Sequence, residues 1–127
     1  EYGTNIHYLL ETTDFLNPNY DNLTNNEIDI IKNLLNNELF KNIKDANIFK
    51  EYEFIEETDN ETKTGIIDLM LEYQDHIDII DYKLKHIDDT AYINQLNGYK
   101  NYINNLTNKP VNTYLYSILD KKLFKLD

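Results

Sequence analysis

Cysteine and arginine are both absent from these 127 residues, proline occurs twice and tryptophan not at all. Without cysteine there is no disulfide, no thiolate zinc site and no cysteine-bound iron–sulfur cluster. No run of about 18 apolar residues occurs, so no membrane span is expected. The first residues, Glu1-Tyr2-Gly3-Thr4, offer neither a basic region nor an apolar signal segment. These absences fit a cytoplasmic protein, and the start without Met points to one domain cut from a longer chain. The length suits a single domain with one hydrophobic core.

A surplus of basic charge is also missing. Twelve lysines face 23 acids, a net charge of -11. Nucleic-acid binding usually shows a basic patch, because phosphate neutralisation supplies much of the affinity. The lysines gather from Lys83 onward, which leaves room for a local basic face. A domain of this charge acting on DNA would depend on metal ions and attached domains for its grip.

What is present reads as a mixture of helices and strands. Ile6, Leu9, Leu10 and Leu16 recur at helical spacing in a helix expected from about Thr4 to Phe15, and Asn17-Pro18-Asn19 ends that run. Thr24 with Glu27 three residues on makes a capping box for a second helix, striped by Ile28, Ile31, Leu34 and Leu35. A shorter helix is expected over Glu38 to Ile43. From Ile48 the period changes, and Lys50 to Ile55 alternates as a strand. Thr64 to Tyr73 and Ile77 to Lys83, joined by Gln74-Asp75-His76, predict an antiparallel hairpin. Thr90 to Leu106 predicts a long helix with Tyr92, Ile93, Leu96, Tyr99 and Ile103 along one side. Val111 to Ser117 and Lys122 to Leu126 close the chain as strands. The order implies an α/β fold, a central mixed sheet covered by helices.

Two stretches carry chemistry. Gly65-Ile66-Ile67-Asp68 and Ile79-Ile80-Asp81-Tyr82-Lys83 place acids and an amine inside otherwise apolar strands. Side chains alternate along a strand, so Asp81 and Lys83 share a face. Asp68 reaches the same place if the hairpin register brings it opposite. A buried carboxylate is costly without a partner. Hard divalent cations such as Mg²⁺ or Mn²⁺ prefer such oxygens, and a cation with an adjacent ammonium suits phosphodiester hydrolysis. The same spacing also suits an Asp81–Lys83 salt bridge, with Asp68 at a bulge. His76 and His86 read as turn and strand-end residues.

These stretches, followed by Gln95-Leu96-Asn97-Gly98-Tyr99, resemble the PD-(D/E)xK nucleases of the RecB/AddA type, whose pattern is a G-x-x-D strand, a D-Y-K strand and a Q-x-x-x-Y helix. Upstream, Gly3-Thr4-Asn5-Ile6-His7-Tyr8-Leu9-Leu10-Glu11 resembles the family's G-x-x-x-H-x-x-L-E helix, and Lys50-Glu51-Tyr52-Glu53-Phe54 its R-E-x-x-F strand. The resemblance spans nearly the whole chain. It implies a restriction-endonuclease-like core and a Mg²⁺- or Mn²⁺-dependent deoxyribonuclease. Such domains end UvrD-like helicase–nucleases that process DNA ends in recombinational repair, so the implied partners are DNA and a helicase domain of the same chain or a partner subunit. It further implies His7, Asp68, Asp81 and the Tyr82 carbonyl as metal ligands and Asp68, Asp81 and Lys83 as catalytic, Lys83 positioning the attacking water. Gln95 and Tyr99 would brace the site or touch DNA, and Glu51, or Glu53 in its place, would be a secondary residue. Leu84 departs from the family's Thr or Ser after D-Y-K. The lack of cysteine sides with the AddA relatives rather than the cluster-bearing ones, and speaks against a stand-alone exonuclease like those of CRISPR adaptation. The other reading of the chain is a non-catalytic DNA-binding or assembly module that keeps the fold.

Overall fold

Thr24 shows how local chemistry sets an element boundary. Its hydroxyl accepts the Glu27 N–H at 3.1 Å, and the Glu27 carboxylate accepts the Thr24 N–H at 2.8 Å. Two donors otherwise orphaned at a helix start are thereby satisfied. The computed structural model, which describes residues 2–85 and 90–126, opens helix α2 (Asn25–Leu35) on this box. Helix α1 (Tyr2–Thr12) precedes it. The helix expected over Glu38 to Ile43 is instead two 3₁₀ turns, Glu38–Phe40 and Ile43–Asp45. The Asn37 side chain accepts the Leu39 N–H and tightens the first of them.

Strands β1 (Asn47–Glu57), β2 (Thr62–Glu72) and β3 (Ile77–Lys83) follow, then helix α3 (Thr90–Asn104), β4 (Val111–Ser117) and β5 (Lys122–Lys125). They form one sheet in chain order. β1–β2, β2–β3 and β4–β5 are antiparallel, while β4 runs parallel to β3 after the α3 crossover. The fold is therefore a mixed α/β sheet with helices on both sides. β3 is central and buried on both faces, which is why it reads as a nearly continuous apolar run. On one face α1 and α2 pack Leu10, Ile31 and Leu34 onto Leu69, Leu71, Ile80 and Tyr116. On the other, α3 packs Leu96, Tyr99 and Ile103 onto Ile67, Met70, Ile79 and Val111. Ile93, expected on that stripe, is exposed. No described helix is long and apolar enough to cross a membrane. His86 lies outside the described residues.

The β1–β2 ribbon departs from simple alternation at one rung. Lys50 belongs to the α1 side, its ammonium 3.8 Å from the Phe15 ring centre and bonded to the Thr13 carbonyl. Tyr52, two residues on, packs with the α3 cluster. On β2, Ile67 faces α3 and Leu69 faces α1. Both strands thus change faces at Glu51 and Asp68. The pairing runs Lys50↔Leu69 and then Tyr52↔Ile67, so the register is unchanged across the skipped pair. Glu51 takes a left-handed φ of 50° to make the switch, a conformation costing a non-glycine residue about 1–2 kcal/mol.

Candidate functional site

The face switch turns Glu51 and Asp68 toward each other, and their carboxyls are hydrogen-bonded. Asp68 lies opposite Asp81 by extension of the β2–β3 register, whose last pair is Leu69↔Ile80. Regular pairing stops there, and the Asp68 side chain takes over as acceptor. Its Oδ2 receives the Tyr82 N–H at 2.8 Å and lies 3.3 Å from His7 Nε2. The His7 ring stands edge-on to the Tyr82 ring, centroids 5.8 Å apart. α1, β1, β2 and β3 therefore each contribute to one cluster.

Asp81 and Lys83 share a face, as their spacing requires, with Lys83 Nζ 3.3 Å from Asp81 Oδ2. The contact lacks hydrogen-bond geometry, and among the described residues Asp81 Oδ2 is one of the few buried oxygens without a hydrogen-bond partner. The ammonium also sits 4.4 Å above the Tyr92 ring of α3. Tyr92, read in the sequence only as part of a helix stripe, is thus a neighbour of Lys83. Its spacing from Gln95 and Tyr99 on α3 was the available signal.

The electrostatics follow from crowding three carboxyls against one imidazole and one ammonium. Burial pushes Asp81 up to about 7, and the neighbouring Asp68 charge adds to it, against the pull of Lys83. Burial also raises Glu51 to about 7, with Asp68 and Glu11 adding repulsion. Burial opposes ionisation of Asp68 too, but hydrogen bonds from His7, Asp81 and the Tyr82 N–H outweigh it and hold its pKa below the ordinary value. Below about pH 7, Asp68 is the ionised member, and Asp81 and Glu51 hold protons beside it. The like-charge strain is relieved by protons here, the role a divalent cation plays in other carboxylate clusters.

Gln95 and Tyr99 act together. Gln95 Nε2 donates to the Tyr99 hydroxyl at 2.9 Å, and that hydroxyl also accepts the Ile66 N–H, two residues from Asp68. α3 is thereby pinned to β2 beside the acids, so Tyr99 is a buried brace and Gln95 its exposed partner. Gly65 explains itself in the same place. It has no positive φ, but a Cβ there would lie 2.5 Å from Phe54 Cε1 and 2.9 Å from Tyr99 Cε1. Glycine is present for the space the rings occupy. Glu53 is exposed, and the acid of β1 that meets Asp68, with Glu11 and His7 of α1 nearby, is Glu51, so Glu53 does not stand in for it.

The donor set suits a hard divalent cation: carboxylate oxygens, one imidazole and a buried oxygen lacking a hydrogen bond. As the side chains stand, however, no group of three or more His, Asp and Glu among the described residues is arranged to hold one ion. Asp68 Oδ2 is committed to His7 and Tyr82, and Asp81 to Asp68. Binding an ion would displace the Asp81 proton and the His7–Asp68 contact. A separate cavity of about 930 Å³ lies at the other end of β3, lined in part by Tyr73, His76 and Asp78, with none of these residues in it. Neither a protein-family model nor a curated protein sequence matches the chain.

Proposed function

We propose that this chain is a metal-dependent deoxyribonuclease domain that hydrolyses phosphodiester bonds. The observation that supports it is the convergence of Asp68, Asp81 and Lys83 with His7 and Glu51, from four separate elements, onto one acid-rich cluster. A salt bridge alone would need Asp81 and Lys83 and would give no reason to bring two further, partly buried carboxyls against them. In this reading the sheet is a restriction-endonuclease-like core. Asp68, Asp81, His7 and the Tyr82 carbonyl would hold Mg²⁺ or Mn²⁺, which would supply Lewis acidity and neutralise charge on the phosphate. Asp68 is already ionised and fixed in orientation by the Tyr82 N–H. Lys83 directs its ammonium at the attacking water or a phosphate oxygen. Gln95 and Tyr99 keep α3 in place behind that amine. The setting that fits is exonucleolytic DNA end processing in recombinational repair, as part of a cytoplasmic helicase–nuclease.

A non-catalytic DNA-binding or assembly module is the second reading. It is favoured by Lys83 being turned onto Asp81 and Tyr92 and by the acid pair being closed on itself. Degradation of linear and circular DNA, single- and double-stranded, in Mg²⁺, Mn²⁺ or EDTA separates the two, with Lys83→Ala run alongside. Metal-dependent cutting that the substitution abolishes is the expected result, and sparing of circles would make the activity exonucleolytic. No cutting under any condition, together with no metal-induced stabilisation, would leave the binding module.

A further inference from the structure

Asp78 is 1 % exposed, more deeply buried than Asp81, and belongs to no part of the acid cluster. Alternation along β3 turns it to the α1–α2 face with Ile80, away from Ile77 and Ile79 on the α3 face. Its Oδ1 accepts the Asn112 Nδ2–H at 3.2 Å. Its Oδ2 has no hydrogen-bond partner among the described residues. His76 Nε2 stands 3.4 Å from it, a looser contact than the 2.7 Å the same ring makes with exposed Asp75. Burial raises the Asp78 pKa, against the pull of Asn112, His76 and Lys125. Tyr73, stacked on His76 with ring centroids 4.6 Å apart, carries a second buried oxygen without a partner, its hydroxyl. Buried polar atoms left unpaired are costly, so two together ask for a reason.

Both residues line the cavity of about 930 Å³ between the two 3₁₀ turns and the sheet. Its size is that of a small-molecule site. The charge on its walls is one-sided. Lys41, the lysine of the lining, is taken by Glu38 at 2.8 Å, which leaves Asp45, Asp75 and Asp78 against His76. Burial raises the Tyr73 pKa, and the charges of Asp78 and Asp45 add to it, so the hydroxyl sits in the field of both acids. An anion would be repelled here, and an apolar molecule would leave both oxygens unpaired. No group of three or more His, Asp and Glu among the described residues is arranged for a metal ion. A cation bearing several N–H donors answers both needs, since it supplies the countercharge and the hydrogen bonds.

We propose that this cavity is a second site, which binds a small organic cation, an alkylammonium or guanidinium compound, through the Asp78 carboxylate and the Tyr73 hydroxyl. The site lies at the far end of β3 from Lys83, shares no residue with the acid cluster and stands whether or not the chain cuts DNA.

The test is calorimetric titration with butylguanidine at physiological salt, beside butylurea, its uncharged counterpart. Butylguanidine should bind, and butylurea about tenfold more weakly or not at all. Asp78→Asn should weaken butylguanidine by about tenfold or more, and Tyr73→Phe by about threefold. Neither variant should melt below wild type without ligand, since each removes a buried group that lacks a partner. If Asp78→Asn does melt lower, Tyr73→Phe decides. No binding of either guanidine, butylguanidine or the N-acetylarginine amide titrated alongside, overturns the proposal. So does binding that survives both substitutions, which would put the cation elsewhere on a chain of net charge -11. Binding of both guanidines that depends on Asp78 supports a site for the group itself. Binding of the blocked arginine alone supports a site for a protein side chain, and of butylguanidine alone a site for a free molecule.

Discussion

Replacing Gly65 with alanine would place a methyl carbon 2.5 and 2.6 Å from two atoms of the Phe54 ring and 2.9 Å from the Tyr99 ring. Neither ring has an easy retreat. Phe54 is buried and stacked on Tyr102 with centroids 4.3 Å apart. Tyr99 is held through its hydroxyl by Gln95 and the Ile66 N–H. Forcing a methyl into such a site costs about 1–3 kcal/mol. Removing a strand glycine returns roughly 0.5–1 kcal/mol through the unfolded chain. The net expectation is a loss of about 1–2 kcal/mol, or about 4–8 °C in melting temperature for a domain of this size. Urea titration should show a lower midpoint with an unchanged slope. Truncating the opposing ring supplies the control: in a cycle with Phe54→Leu, the two substitutions should couple by about 1 kcal/mol. A Gly65→Ala chain as stable as wild type, or strictly additive effects in the cycle, would refute the packing account of this glycine. The Gly-x-x-Asp spacing would then need another explanation.

Two further outcomes follow from the same geometry. Asp81 and Glu51 keep their protons in the folded chain to about pH 7, whereas in the unfolded chain they lose them near pH 4. The folded state therefore binds more protons between those limits, and stability should fall as pH rises through that window, by about 1 kcal/mol or more. Urea midpoints at pH 5 and pH 7.5 in EDTA check the sign, and Asp81→Asn should flatten the difference. Asp68, whose pKa is lowered, contributes in the opposite sense and only as pH drops below its ordinary range. At the other side of the fold, Thr24→Ala removes half of the capping box and should cost about 1 kcal/mol, read from the same titration; an unchanged midpoint would mean the box is decorative.

Much of this architecture is legible in the chain because it is locally encoded. The Thr24–Glu27 box, the apolar run of β3 and the short Gln74-Asp75-His76 connection each specify their own geometry. The Asp81–Lys83 pairing is legible for the same reason, since it needs only the strand period. What alternation missed is the phase change at Glu51. A two-residue period puts Lys50 and Tyr52 on one face, but they pack on opposite faces, with Glu51 at a φ of 50° between them. Nothing in the local sequence marks the break, because its cause lies across the ribbon at Asp68. Ile93 was assigned to the buried stripe of α3 by the same kind of counting and is exposed. The helix stripe is narrower than the pattern suggested. His76 sits at a turn, as expected, but with Asp75 at 2.7 Å and Asp78 at 3.4 Å it is more engaged than a turn residue need be. The contribution of α1 to the acid cluster was outside the reach of spacing altogether, since 61 residues separate His7 from Asp68.

The joint at Glu51 and Asp68 bears on how portable this cluster is. A ribbon with an unbroken pleat would present the two acids as an ordinary cross-strand pair of like charges, level with their neighbours on one face. Here the pleat reverses phase on both strands at the same rung, and pairing resumes as though nothing had intervened. Transplanting His7, Asp68, Asp81 and Lys83 into another sheet would therefore carry over the chemistry without its alignment. The part to copy is the backbone reversal, and an acid in left-handed conformation is its signature.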